Sequence, residues 1–381
     1  MSALDRRSFL QIAPSALALS SSGAAAVTPA RGGEVRGVWM HPEKFPADPA
    51  DGRKQARAML EQFARANFNV VLPWIKSDYL VALDSPLYAA AHPTARWDVL
   101  GFLIDESAKL GMGLDLWYGF TDYRDAKSPD YDPRVGGDPS WVARRLDEVI
   151  ADPKTGKKVE PRLSNICPQH WQARAWQQKL LLKTAARYPK LRGIHIEEPG
   201  YGEPGYCLCD LCATTFERLH GRKLVDAMDS LEAEDFRMLG TSAFMWELRQ
   251  SLQKQYPKVI FSTNGGHDWR HDRIEGRDWA RWAYSGWLRY YASQVYVTDT
   301  LTFRKKMAVT MKDVGPYTAV YAGIAFDWST GKNTVKEVIQ QVYAARELGA
   351  PGVMLFHGAS FTPELYDALR QGPFQKPSKL A

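Results

Sequence analysis

The sequence predicts an α/β chain closed as a (β/α)8 TIM barrel, and three observations carry that reading. Eight short strand-like runs punctuate the chain, at 35–40, 68–74, 112–117, 191–197, 259–263, 294–298, 319–325 and 352–356. Amphipathic helical segments separate most of them, at 52–66, 99–110, 170–188, 243–256 and 335–348. Strands that alternate with helices imply a parallel sheet, and eight such units imply closure. Third, two adjacent carboxylates, Glu197 and Glu198, stand at the end of the fourth run, and catalytic groups of such barrels come from the carboxyl ends of strands.

Each unit reads from its residues. The run Ile194–Ile196, for example, is short and β-branched and follows a turn at Gly193. The weakest unit lies between Ala280 and Tyr291, where the intervening helix is short. A long insertion, from Tyr118 to about Gln169, follows the third strand. Its Asp, Pro and Gly content suggests a loop over the site, and loops on that face carry specificity. No internal repeat is visible. With 381 residues and 45% hydrophobic content, one domain suffices, since a barrel uses roughly 250 to 400 residues.

The ends read differently. Asp5-Arg6-Arg7-Ser8-Phe9-Leu10 resembles the twin-arginine export signal, and a mildly apolar run and Gly23-Ala24-Ala25-Ala26 follow it. Residues 1–30 are therefore expected to be a cleaved signal peptide, 31–375 the barrel and 376–381 a disordered tail. The twin-arginine machinery is an expected partner, and the mature chain is expected in the periplasm or outside the cell. No Cys follows the signal's apolar run, so lipid anchoring is not indicated. No later run approaches the roughly 18 apolar residues of a membrane span. The net charge of +6 is modest and its Lys and Arg are scattered, which argues against nucleic acid. The 13 Trp and 17 Tyr suit stacking on sugar rings, although core packing accounts for most of them. There is no Gly-rich phosphate loop, no Gly-x-Ser-x-Gly elbow and no His-Glu-x-x-His helix, against nucleotide use, serine hydrolysis and zinc proteolysis.

The order of motifs resembles glycosyl-hydrolase-like family 10, bacterial α/β barrels related to glycoside hydrolases. The matching residues are Val35-Arg36-Gly37-Val38-Trp39, Asp138-Pro139-Ser140-Trp141-Val142, Gly193-Ile194-His195-Ile196-Glu197-Glu198, Gln294-Val295-Tyr296, Tyr321-Ala322-Gly323-Ile324-Ala325 and Gly352-Val353-Met354-Leu355-Phe356. The family usually shows two aspartates where this chain has Glu197-Glu198, so the acid reaches further here.

A second, local resemblance is to family 42 β-galactosidases. There a C-x-C-x2-C motif follows the catalytic Glu and binds a structural zinc with an earlier Cys. Cys207, Cys209 and Cys212 have that spacing, and Cys167 is the only other cysteine. Four cysteines with no remainder fit a tetrahedral thiolate zinc site. Two disulfides are the alternative in an exported protein, but Cys207 and Cys209 are too close to pair easily.

Glycosidic cleavage needs one acid to protonate the leaving oxygen and a second carboxylate as nucleophile or base. Strict strand alternation turns His195 and Glu197 to the lumen. The Asn-Glu-Pro pattern of related barrels, resembled by Glu197-Glu198-Pro199, instead makes Glu198 the expected acid, and a bulge at the strand end would reconcile the two. Asp327, just past the seventh strand, is the first choice for the second carboxylate, because related barrels carry the nucleophile there. Asp299 and Asp115 are weaker candidates, Asp299 reading better as a helix cap or turn. No Glu ends strand seven, which leaves a retaining mechanism in doubt. Trp39, Trp74, Trp117, Tyr118 and Trp328 could form sugar platforms. His41, Lys76, Asn264, Tyr296 and His357 could bond hydroxyls or carboxylates. The expectation is an exported glycoside hydrolase acting on a carbohydrate, with peptidoglycan glycan among the open substrates, and the alternative is a silent, glycan-binding barrel.

Overall fold

The computed structural model describes residues 33–83, 97–119, 138–151, 155–159, 166–202 and 204–380; the expected signal segment and much of the insertion lie outside them. Eight parallel strands close into a barrel: β1 (Val35–Met40), β2 (Val70–Pro73), β3 (Gly113–Tyr118), β4 (Gly193–Ile196), β5 (Ile260–Gly265), β6 (Tyr290–Gln294), β7 (Ala319–Ala325) and β8 (Gly352–Phe356). Each pairs with its neighbours in sequence, and β8 closes on β1.

The sixth strand is displaced from its expected position. It runs over Tyr290–Gln294, pairing Tyr290 with Ala319 and Gln294 with Gly323, and residues 295–298 leave the sheet. Tyr290, Ala292 and Ser293 carry a strand of mixed polarity, whereas Val295-Tyr296-Val297 offers the stronger apolar signal in a segment that turns over the barrel rim.

Outside the sheet stand α1 (Pro49–Arg65), α2 (Val99–Lys109), α3 (Trp171–Arg187), α4 (Asp210–His220), α5 (Leu231–Gln255), α6 (Trp279–Tyr284), α7 (Thr300–Val314), α8 (Val335–Glu347) and α9 (Pro363–Gln371). The α1 start follows from local chemistry. Pro49 occupies the first turn, and Asp48 accepts from the Ala50 and Asp51 N–H groups at 2.9 and 3.0 Å. Helix α5 begins at Leu231, well before the expected 243. Its buried residues, from Ala233 to Leu252, are spread around the helix rather than along one stripe. Its start is marked instead by Ser230, which accepts from the Ala233 N–H at 3.2 Å.

Alternation along the strands makes two cores. Outward residues such as Val38, Val71, Leu116, Ile194, Ile196 and Ile324 pack under the helices. Inward residues such as Trp39, Leu72, Trp117, Tyr290, Tyr321 and Met354 fill the lumen. A third cluster, built around the four cysteines with Tyr201, Tyr206, Phe216 and Phe236, lies beyond β4.

The expected disordered tail, 376–381, is instead bound to the barrel over its described residues. Asn69 donates to the Ser378 carbonyl at 3.0 Å, Arg36 donates to the Lys376 carbonyl at 2.7 Å, and the Gly33 N–H donates to Lys379 at 3.1 Å. Leu380 packs against the lumen cluster. Main-chain groups of the tail are satisfied by β1 and β2 loops, a pairing invisible in its Lys- and Pro-rich composition. Among the described residues, no helix is long and apolar enough to cross a membrane.

Candidate active site

The strands set Glu197 at the mouth of the lumen. Ile194 and Ile196 face outward, so His195 and Glu197 face inward. The Glu197 Oε2 accepts from Trp117 Nε1 on β3 and from Asn264 Nδ2 on β5, the latter at 2.6 Å. Burial and the neighbouring Glu198 charge raise its pKa to about 8, against the pull of the Asn264 and Trp117 hydrogen bonds and of Arg277. A carboxyl in that condition keeps its proton near neutral pH.

Glu198 faces another way. Its φ of +31° lies in the left-handed region, which costs a non-glycine residue roughly 1–3 kcal/mol. Two bonds hold it there. Its N–H donates to Asn264 Oδ1 at 2.9 Å, and its Oε2 accepts from Arg277 at 2.8 Å. This kink at the strand end keeps Glu197 in the lumen, as alternation requires, and sends Glu198 to a buried guanidinium. Arg277 also pairs with Glu275 at 2.6 Å and approaches Asp272 at 3.9 Å.

Asn264 is fully buried, and both ends of its amide are spent on the two glutamates. It positions the two carboxylates and, fully buried, exposes no amide atom to a sugar hydroxyl. Trp39 and Trp117 are likewise buried in the lumen floor, so neither presents an open face as a platform. Tyr118 lies outside the site altogether. It is an outward strand residue, packed under the helices with its hydroxyl donating to Gln177 of α3.

Other expected residues do surround the carboxylate. Trp74 meets Trp117 edge-on at 4.6 Å. Tyr296 stacks on Phe356 at 5.5 Å and lies 6.2 Å from Trp328. Burial and the two glutamates push the Tyr296 phenol well up, so it stays a neutral hydroxyl. His41 and His357 meet edge-on at 5.3 Å. Burial, with nearby His41 and Lys44, lowers the His357 pKa to about 4, which leaves it neutral above that pH. Lys76 is exposed, just before the short helix Ser77–Ala82.

The remaining carboxylates are sorted by their partners. Asp327 lies in a two-residue hairpin after β7, half-exposed and 3.5 Å from Lys332. Asp299 caps α7, accepting from the Thr302 N–H at 2.7 Å. Asp115 is sealed at the base of the lumen, held by Arg192 at 2.9 and 2.7 Å and by the Tyr290 hydroxyl at 2.8 Å. It is structural and cannot reach the mouth. His195, one layer below Glu197, bonds Ser262 at 3.0 Å and stacks on Tyr290 at 5.4 Å. Burial and Arg192 lower its pKa to about 3, so it is a neutral core residue.

Sequence reasoning missed Arg277 and Phe356. Arg277 comes from the loop after β5, in the charged segment His271-Asp272-Arg273-Ile274-Glu275-Gly276-Arg277, whose alternating charges were the available signal.

The four cysteines converge. The sulfurs of Cys167, Cys207, Cys209 and Cys212 all lie within 4.8 Å of one another, buried and without a disulfide. A tetrahedral metal with bonds of about 2.3 Å would set sulfurs roughly 3.8 Å apart, so the donor set fits a metal. The Arg144 N–H points at Cys207 Sγ from 3.4 Å, and His170 Nε2 lies 3.8 Å from Cys209 Sγ. Such donors stabilise thiolates.

The fold has many counterparts among solved structures. The glycoside hydrolase domain of PgaB (BpsB) from Bordetella bronchiseptica is 12% identical, with a TM-score of 0.65 over 88% of this chain and 98% of that one. An α-L-fucosidase isoenzyme from Paenibacillus thiaminolyticus is 14% identical, with a TM-score of 0.60 over 88% and 48%. A β-galactosidase from Bacillus circulans sp. alkalophilus is 16% identical, with a TM-score of 0.57 over 92% and 58%. At these identities the likeness is one of fold. No curated protein matches the chain by sequence. The model of the family described as glycosyl hydrolase-like 10 matches residues 34–326, most of the chain, and the protein belongs to that family.

Proposed function

We propose that the protein is a glycoside hydrolase that cleaves O-glycosidic bonds of a poly- or oligosaccharide, with Glu197 as the general acid. The observation that carries this is the Glu197 carboxyl at the end of β4, held by Trp117 and Asn264 and raised to about 8. A carboxyl that keeps its proton near neutrality can give it to a leaving oxygen. Glu198 is turned away from Glu197 and ion-paired to Arg277, and its part is to hold the strand end. Asp327, half-exposed beyond β7 beside Trp328, supplies the second carboxylate and deprotonates the attacking water. Trp74, Tyr296, Phe356 and Trp328 face the sugar, and neutral His357 bonds a hydroxyl. Family membership supports carbohydrate chemistry.

The cysteine cluster holds zinc as a structural ion, with Cys167, Cys207, Cys209 and Cys212 as ligands. The twin-arginine segment exports the folded, loaded protein to the periplasm or beyond.

The test is a panel of glycans, peptidoglycan included, with products read by mass spectrometry. Glu197→Gln keeps shape and hydrogen bonding but removes the proton. Turnover should fall by roughly 10²–10⁴-fold, with glycan binding retained and with a much smaller loss on an activated aryl glycoside. If Glu198→Gln shows that pattern and Glu197→Gln does not, the acid is assigned to the wrong residue. Binding without cleavage of any glycan by the unaltered protein would establish the silent-barrel reading.

A further inference from the structure

The end of the barrel opposite the carboxylates carries a cavity of about 490 Å³, where the loops leading into β5, β6 and β7 meet. Lys258 comes from the loop before β5, Trp287 and Arg289 from the loop before β6, Tyr317 from the loop before β7, and Arg249 from α5. The lining thus holds three cations and no Asp or Glu. Among the described residues none of the three forms an ion pair, and Arg249 donates only to the Gly286 carbonyl, at 3.1 Å. Asp313, near Tyr284, is already committed to Arg270 at 3.2 Å and Trp269 at 3.0 Å. Burial pushes the Arg249 pKa down with no carboxylate opposing it.

Aromatic rings stand beside these cations. Trp287 is half-buried against Trp246 at 5.1 Å, and Tyr317 is exposed against Tyr284 at 4.6 Å. Unpaired cations around a concavity attract anions, and flat apolar rings suit the faces of sugars. The charges ring a cavity of ligand size; they do not run as a stripe of the kind that follows a nucleic-acid backbone.

We propose that this cavity binds an anionic oligosaccharide, with Arg249, Lys258 and Arg289 taking carboxylates of the sugars and Trp287 and Tyr317 packing on their rings. The site stands apart from Glu197 and holds whether or not the barrel cleaves glycans.

Isothermal titration of the purified mature protein with trigalacturonate tests it, with maltotriose as a neutral control and tripolyphosphate as an anion without sugar rings. Trigalacturonate should bind, more weakly at physiological than at low salt, and maltotriose should bind about tenfold or more weakly. Lys258→Glu with Arg289→Glu, both exposed positions, should weaken trigalacturonate binding by about tenfold or more (roughly 1.4 kcal/mol) without changing the melting temperature. Tyr317→Ala should weaken trigalacturonate and leave tripolyphosphate unchanged. No trigalacturonate binding, or equal binding by the charge-reversed variant, overturns the proposal. Tripolyphosphate binding as tightly as trigalacturonate, or a short DNA duplex displacing the sugar, also overturns it, since the cavity would then be a general polyanion site.

Discussion

Glu197 and Glu198 are chemically identical neighbours with opposite surroundings. One is enclosed by Trp117 and Asn264, and the other is tied to Arg277. The Glu197 pKa of about 8 has a consequence for stability. Above its ordinary value of 4.5 the unfolded chain releases this proton while the folded chain keeps it. Its contribution is therefore full below about pH 4.5, declines as pH rises, and is lost above about 8. Glu197→Gln should remove that decline, so its melting temperature should gain on the unaltered protein between those limits; parallel profiles would refute the assignment. If Glu197 is the acid, kcat should also fall as pH rises through about 8. Arg277 is a buried cation serving Glu198, Glu275 and Asp272. Arg277→Met strands these carboxylates and should cost about 3–5 kcal/mol in urea unfolding. Adding Glu198→Gln should recover part of that loss.

At the scale of elements, the carboxylates that lie near strand ends in sequence divide by the element they serve. Asp299 follows the sixth strand in sequence, but its oxygen is committed to the Thr302 N–H at the start of α7. Asp299→Ala should lower the melting temperature, as loss of an N-cap does, and leave the pH profile of any glycosidase activity unmoved. The cysteine cluster joins separate pieces: Cys167 precedes α3, Cys207 follows the β4 loop, and Cys212 lies in α4. A structural zinc there would contribute folding energy directly. A chelator, or Cys209→Ser, should lower the melting temperature, and metal analysis should find about one zinc per chain. Protein purified from the cytoplasm without zinc, or mapped disulfides in the exported form, would refute the site.

For the whole molecule, the proposed export as a folded unit would let the cysteine cluster load a metal while its thiols are still reduced. Replacing Arg6 and Arg7 by Lys should leave the protein folded and trapped in the cytoplasm, as fractionation would show, because the receptor reads the arginine pair. Arrival of that variant in the periplasm would refute the signal. The barrel also has two ends with different tasks. The Asp115–Arg192–Tyr290 network seals the lumen near its base, while the strand ends above it hold the carboxylates, the usual division between stability and chemistry in such barrels.

By itself the sequence determined the barrel, seven of its eight strands to within a few residues, and the four-cysteine set; alternation turned Glu197 inward, but the Glu197-Glu198-Pro199 pattern made Glu198 the expected acid. Period-2 alternation and the spacing of strands are local properties, so residues such as Ile194, Ile196 and Glu197 declare their sides without help from the rest of the chain. Only the tertiary structure decided what each group touches. The start of β6 depended on pairing Tyr290 with Ala319, not on its own apolarity. Tyr118 was separated from Trp117 by one step of the pleat, which put it under α3 instead of in the lumen. Arg277, nearly eighty residues from Glu198 in sequence, became its partner because the loop after β5 folds back over the end of β4. The tail was ordered because the barrel offered its main chain hydrogen bonds. Contacts between distant segments depend on the closed geometry of the sheet, and no local pattern encodes them.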